Sequence, residues 1–356
     1  MNAEGCIINK HVITDKLEFW RKMPKVMLHE HLDGGLRPAT LLELCRAKAI
    51  AVPAENAQAL GQWVSANANS GSLERYLAGF GLTVAAMGDA AACERVAYEA
   101  AMDAQSDACI LAEFRIAPLL LEPYGLSPEA AVEAVLAGVR RCSMPSGLIV
   151  CAMRTDPVEK IERAAILAAR YAGQGVVGFD LAGAERGFPA TPHQRAIGIA
   201  KAAGLGITLH AGEADSGERV LQAIALGATR IGHGVHIALG TGATKRMAQV
   251  QALGAGVHFE VCPSSNLHTG VVPTLAEHPL AAMHRAGLSV SVHTDNRLMS
   301  MVTLSEELEQ VHRVLRLSVA QLGAMAQAAA QASFLPQPVR STAHAAVADW
   351  LLLHSG

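Results

Sequence analysis

Short apolar runs bounded by turn residues recur along the chain at about 24–31, 108–116, 146–153, 175–181, 205–211, 229–234, 255–262 and 288–294. Each predicts a buried strand. Between most of them lie alanine-rich segments with helical spacing, such as Ser127 to Arg141, Pro157 to Tyr171, Pro192 to Ala203 and Ser216 to Leu226. Strand alternating with helix eight times predicts an α/β fold, a single parallel (β/α)8 barrel of the TIM type with an outer ring of helices. The first interval is too long for one crossover: it runs from roughly Asp33 to Asp107 and holds several helical stretches, including Ser72 to Met87. An insertion there, at about 34–107, is expected to cap the barrel mouth. Beyond the eighth run, Ser305 to Leu315, Ser318 to Ser333 and Thr342 to His354 predict closing helices. No repeat, low-complexity tract or linker interrupts the pattern, so residues 1–356 are expected to form one domain.

Composition supports a buried core, with 51% hydrophobic and 17% charged residues. A net charge of −3 offers no basic footprint, which argues against polymeric nucleic acid as a partner. Seven cysteines (Cys6, Cys45, Cys93, Cys109, Cys142, Cys151, Cys262) form no Cys-x-x-Cys pair, and free thiols in a reducing cytosol are expected. Met1 to Lys10 lacks the features of a signal peptide, and no apolar stretch is long enough to span a bilayer. The expectation is a soluble cytoplasmic protein without a membrane partner; its oligomeric state is not encoded in any motif.

Polar residues of metal-binding type interrupt the apolar pattern at the carboxyl ends of four predicted strands. His29 and His31 end the first, His210 the fifth, His233 the sixth and Asp295 the eighth. Barrel active sites are built on that face, so residues remote in sequence converge there. His29 and His31 are two apart and point to the same side of a strand, with Glu30 facing away. Three imidazoles and a carboxylate suit one borderline-soft divalent ion, zinc first, with iron(II) and cobalt as alternatives. Glu213 follows His210 closely and His233 lies on the next strand, so a carboxyl and an imidazole can flank a metal-activated water. A plainer reading leaves Glu213 at the surface and makes His233 a fourth ligand. His236 is assigned a supporting or packing role; His258, His268, His278, His284 and His293 are assigned structural ones. Asp180, ending the fourth strand, is expected to hold hydrogen bonds near the mouth. No lysine closes that strand to bridge a second metal.

At these positions the chain resembles the adenosine deaminase family of the amidohydrolase group. The resemblance rests on Pro24-Lys25-Val26-Met27-Leu28-His29-Glu30-His31-Leu32-Asp33-Gly34, Ser72-Leu73-Glu74-Arg75-Tyr76-Leu77, Asp180-Leu181-Ala182-Gly183, His210-Ala211-Gly212-Glu213, Ile231-Gly232-His233-Gly234, Cys262-Pro263-Ser264-Ser265-Asn266 and Thr294-Asp295, in family order across nearly the whole chain. It implies one zinc per chain on His29, His31, His210 and Asp295. It also implies that Glu213 protonates purine N1 and that His233 is the base or electrostatic partner of the attacking hydroxide. By the same resemblance the Gly183 N–H meets purine N3 and Asp33 accepts from the ribose 5′-hydroxyl. Family members acting on the free base tend to carry Glu where this chain has Asp33, which favours a nucleoside. Hydrolytic deamination of adenosine and 2′-deoxyadenosine in purine salvage is the activity implied.

One position departs from the commonest family pattern: Asn296 stands where many members have a second Asp that contacts purine N7. An amide can donate to unprotonated N7, whereas a carboxylate needs that nitrogen protonated. Adenine or another 6-aminopurine derivative is therefore an alternative substrate. A catalytically silent nucleoside-binding barrel is a further alternative, against which Glu213 and His233 argue. The cytidine-deaminase type of zinc site is excluded, because Cys262-Pro263-Ser264-Ser265 supplies no second thiolate.

Overall fold

The computed structural model describes residues 16–239 and 242–354; Met1 to Lys10, and Cys6 with them, lie outside the described residues. Each predicted run coincides with a strand, β4 extending one residue past it: β1 Lys25–His31, β2 Cys109–Ile116, β3 Ser146–Met153, β4 Val176–Ala182, β5 Gly206–Ala211, β6 Arg230–His233, β7 His258–Val261 and β8 Ser289–Val292. They lie side by side in chain order, every neighbouring pair parallel. Closure comes just past β8. His31 N–H donates to Asp295 O at 2.7 Å and Asp295 N–H to His29 O at 3.0 Å, and an isolated parallel bridge pairs Glu30 with Asp295. The strands are buried on both faces, with apolar Leu28, Leu111, Phe114, Leu148, Val150 and Phe259 beside a smaller set of buried charges, Glu113, Arg115, Asp180, Arg230 and Glu260.

The crossover helices are Pro128–Arg140, Val158–Arg170, Gln194–Ala202 and Gly217–Ala225, close to the predicted spans. Helix Pro128–Arg140 starts where Ser127 accepts from Ala130 N–H and Pro128 presets the first turn. Helix Val158–Arg170 buries Ile161, Ala164, Ala165 and Ala168, one face at helical spacing. The closing helices Leu304–Leu315 and Val319–Ala332 both begin in capping boxes, Thr303 with Glu306 and Ser318 with Gln321. Helix Val319–Ala332 packs on β1 and β8 and so covers the seam. Helix Gln337–His354 begins ahead of the expected Thr342, because Pro338 falls in its first turn, where proline is tolerated.

The long first interval holds helices Pro38–Ala47, Ala57–Ala68, Leu73–Ala78, Phe80–Ala86 and Ala90–Ser106. The last of these packs on β2 and on helix Pro128–Arg140, as an ordinary crossover does, which leaves 38–86 as additional structure. The single helix expected over Ser72 to Met87 is two, broken at Gly79. Glycine is among the weakest helix formers, costing about 1 kcal/mol per residue, and Gly79 and Gly81 stand together there. The break brings Leu73, Tyr76, Leu77, Phe80 and Val84 over the barrel mouth. Among the described residues, no single helix is long and apolar enough to cross a membrane, and six free cysteines are all buried.

Candidate active site

Barrel register sets the site. β5 and β6 pair His210 with Gly232 and Ala211 with His233, while the closing bridge brings Asp295 beside His29 and His31. Asp295 is not part of the eighth strand, whose ladder stops at Val292; it turns with φ +62°, and His233 has φ +61°. Left-handed backbone at residues other than glycine costs on the order of 1–3 kcal/mol and persists only where the surroundings enforce it. Both strained residues aim side chains into the mouth. Glu30 turns away as expected, toward Thr294 and Arg297.

The donor atoms of His29, His31, His210 and Asp295 all lie within 4.8 Å of one another. His29 Nε2 is 3.1 Å and His31 Nε2 3.5 Å from Asp295 Oδ1, and His31 Nε2 is 3.3 Å from His210 Nε2. His29 Nε2 is buried yet makes no hydrogen bond of acceptable geometry. Three ring nitrogens and a carboxylate facing one point is a donor set that fits a divalent cation. A second grouping, His29, His233, Cys262 and Asp295, is also close enough. It fits less well, because burial pushes the Cys262 thiol far up and its Sγ donates to Glu260 O.

Carboxylates stand behind two of the histidines. His29 Nδ1 lies 2.9 Å from Glu260 Oε2, and His210 Nδ1 lies 2.9 Å from Asp180 Oδ2. Each anion draws a proton to Nδ1 and leaves Nε2 bare for a cation. Arg115 ties the two together, donating to Asp180 Oδ2 at 2.7 Å, Glu260 Oε2 at 2.6 Å and Leu28 O at 2.7 Å. Arg230 extends the network, binding Glu260 Oε1 at 2.5 Å and Glu113 Oε2 at 2.6 Å. Burial opposes ionisation of Glu260, but Arg230 and Arg115 outweigh it and hold the carboxyl well below its usual range. Burial and Arg115 likewise push His29 down, yet Asp295 and Glu260 outweigh them and leave it raised. Burial keeps His31 and His233 well below the usual imidazole range.

Glu213 is buried on the loop after β5, its Oε2 3.8 Å from His233 Nε2. Glu185 shapes that loop: its carboxylate accepts from the N–H groups of Gly212, Glu213, Ala214 and Asp215 at 2.5–3.0 Å. His236, in a short 3-10 turn, meets Gly212 O through Nδ1 at 3.0 Å and supports the same loop. These groups open onto a cavity of about 330 Å³, lined also by Asp33, Gly183 and Asn296 and roofed by Leu73, Tyr76, Leu77 and Phe80. That volume falls within the usual range for small-molecule sites. Asp33 Oδ1 is buried and makes no hydrogen bond of acceptable geometry, with His31 Nδ1 at 3.9 Å, and burial raises its carboxyl to about 6. Gly183 takes φ +93°, and a Cβ there would meet Met153 Cε at 2.9 Å. Gly34 leaves the space that Asn296 fills, since a Cβ there would sit 1.9 Å from Asn296 Oδ1.

All nine residues singled out from sequence, His29, His31, Asp33, Gly183, His210, Glu213, His233, Asp295 and Asn296, are therefore at one mouth. Asp180 holds hydrogen bonds there, to His210 and Arg115. Strand-end spacing does not single out Arg115, Glu185 or Glu260. Arg115 and Glu260 are visible in hindsight as charges inside strands otherwise apolar, Glu113-Phe114-Arg115-Ile116 and His258-Phe259-Glu260-Val261. A charge on a strand buried on both faces needs a partner, and several such strands imply a network.

Comparison with known proteins identifies the family and the fold. A family model described as adenosine deaminase matches residues 24–350. The adenosine deaminase of Mycobacterium marinum is 40% identical over 309 residues, covering 82% of this chain and 85% of that protein. The adenine deaminase of Arthrobacter aurescens has a similar structure, with a TM-score of 0.84 at 24% identity over 93% of this chain and 99% of that one. The Arabidopsis N6-mAMP deaminase gives a TM-score of 0.82 at 25% identity, over 93% and 99%. Proteins named for a nucleoside, a free base and a nucleotide thus share this fold.

Proposed function

The chain belongs to the adenosine deaminase family of aminohydrolases, and from that premise we propose that it uses one zinc ion to convert adenosine and 2′-deoxyadenosine to inosine and deoxyinosine with release of ammonia, a step of purine salvage. The observation that carries this reading is a single mouth holding the four-donor cluster, Glu213 and His233 together. His29, His31, His210 and Asp295 would hold the ion. Bound zinc lowers the pKa of water toward about 7 and so makes a nucleophile available at neutral pH.

The remaining chemistry falls to the chain's own groups. Water oxygen joins C6 as the C6–N bond breaks; one water proton goes to ring N1 and the other departs with the amino group as ammonia. Glu213 is the carboxyl placed to carry a proton to N1. His233 faces the incoming oxygen, as acceptor of its proton or as donor to it. Asp33 offers an acceptor without a hydrogen bond of its own to the 5′-hydroxyl, the Gly183 N–H would approach N3, and the Asn296 amide can donate to N7.

Charge at the wall supports nucleoside over nucleotide. Among the described residues no lysine or arginine lines the cavity, so a 5′-phosphate would be desolvated without a cation. Adenosine, 2′-deoxyadenosine, adenine, AMP and larger 6-aminopurine nucleosides should be compared by ultraviolet absorbance. The two nucleosides are expected to give the highest kcat/KM. Preference for adenine or AMP would overturn the substrate assignment, and binding without ammonia release from any of them would leave a silent nucleoside-binding barrel.

A further inference from the structure

His233 is reached from behind by a line of hydrogen bonds that begins at a backbone amide. Leu280 N–H donates to His278 Nδ1 at 3.2 Å. His278 Nε2 lies 3.1 Å from Asn266 Oδ1, and Asn266 Nδ2 lies 3.2 Å from His233 Nδ1. His278, Asn266 and His233 are all buried. A backbone N–H only donates, so His278 Nδ1 must be the accepting nitrogen. Burial pushes His278 down to about 3, which keeps the ring neutral near pH 7 with its one proton on Nε2. That proton is donated to Asn266 Oδ1. The amide is thereby turned with its NH2 toward His233, whose Nδ1 must accept. A neutral His233 then carries its proton on Nε2, the nitrogen that faces Glu213.

The polarity is opposite to that behind the metal-binding histidines. Anions stand behind His29 and His210 and draw the proton to Nδ1, whereas a donor stands behind His233 and drives it to Nε2. An Nε2–H cannot ligate a cation. The same three bonds that orient the ring therefore separate His233 from the ligand set it adjoins.

We infer that His278 and Asn266 are positioning residues that hold His233 as the Nε2–H tautomer, so that His233 donates a hydrogen bond to the reacting oxygen and leaves its proton to Glu213. The inference rests on the deaminase reading for the identity of that oxygen. The balance is complete without His233 as a base: Glu213 takes the first water proton and passes it to N1 as oxygen bonds to C6, and the second leaves on ammonia with the electron pair of the C–N bond.

The test is long-range proton–nitrogen NMR of the zinc-loaded, 15N-histidine-labelled protein, with His233 assigned by loss of its signals in His233→Gln. The expected result is a bare Nδ1 and a protonated Nε2 on His233. A proton on Nδ1 with a bare Nε2 would overturn the inference whatever the enzyme does. Asn266→Leu removes the donor and should lower kcat by about 10-fold or more while KM and zinc content change little. His278→Gln can still donate to Asn266 and should retain the tautomer and most of kcat. Unchanged kcat and an unchanged tautomer in Asn266→Leu would show that the line of bonds does not set the ring. The tautomer is read without substrate, so a protein that deaminates none of the purines would defeat the functional reading while leaving the tautomer decided separately.

Discussion

Glu213 is the residue on which the proposed proton traffic depends, and its environment isolates that role from metal binding. Four backbone N–H groups hold its loop through Glu185, and its carboxylate is not one of the clustered donors. Glu213→Gln keeps the shape and loses the proton; kcat should fall by at least about 10²-fold with zinc content unchanged. Loss of the metal in this variant would mean that a ligand had been taken for a proton carrier. Asp33 tests the sugar contact. Asp33→Ala should reduce kcat/KM for adenosine relative to adenine by about 1.5–3 kcal/mol, the cost of a hydrogen bond to a charged group. Equal losses on both substrates would show that Asp33 shapes the turn without reading ribose. Glu213 is legible in sequence because it closely follows a ligand at a strand end, whereas the role of Asp33 comes only from the family resemblance. Arg115 and Glu260 are legible only as charges inside buried strands, and Glu185 not at all, since their partners depend on which strands and loops face one another.

At the scale of elements, strand ends supply the chemistry and strand interiors hold it in place. Arg115 on β2 joins Asp180 on β4 to Glu260 on β7, with every group buried. Arg115→Met leaves two buried carboxylates short of their cation. Stability to urea should drop by about 3–5 kcal/mol, and zinc should dissociate more readily as His29 and His210 lose their oriented partners. An unchanged unfolding midpoint would mean that the network is dispensable. A second buried carboxylate joins helix Leu304–Leu315 to helix Pro263–His268: Glu307 accepts from Ser264 N–H at 2.7 Å and Ser264 Oγ at 2.5 Å, and burial pushes it up to about 7. Folding raises this pKa above the ordinary 4.5, so the native state binds the proton more tightly than the unfolded chain. The associated stability is full below about pH 4.5 and is lost as pH rises through about 7. Between pH 5 and 8 the native chain should therefore lose about 1–3 kcal/mol relative to Glu307→Gln. Parallel stability curves for the two proteins would contradict a raised pKa. Helix boundaries show what local pattern misses: Gly79 divides one predicted helix, and Pro338 admits an earlier start for another.

For the whole molecule, alternating runs and helices define a barrel, and a barrel defines which ends of its strands share a face. The order of β1 to β8 and the position of the mouth are legible at that level because each depends on periodicity and chain order. Asp295 is the exception. Its backbone leaves the strand geometry, and only the closing bridge to Glu30 reveals how it reaches His29 and His31. Cap helices likewise cannot be oriented from periodicity, yet their apolar side chains form the roof of the cavity.

The central claim is that one metal ion, held by residues remote from one another in sequence, makes this barrel a nucleoside deaminase. The most direct measurement is ammonia release from adenosine by metal-stripped protein titrated with zinc. The rate should be negligible without metal, rise in proportion to added zinc and level off at about one equivalent per chain. Full turnover by protein shown by elemental analysis to be metal-free, or a rate that requires a second equivalent, would contradict it.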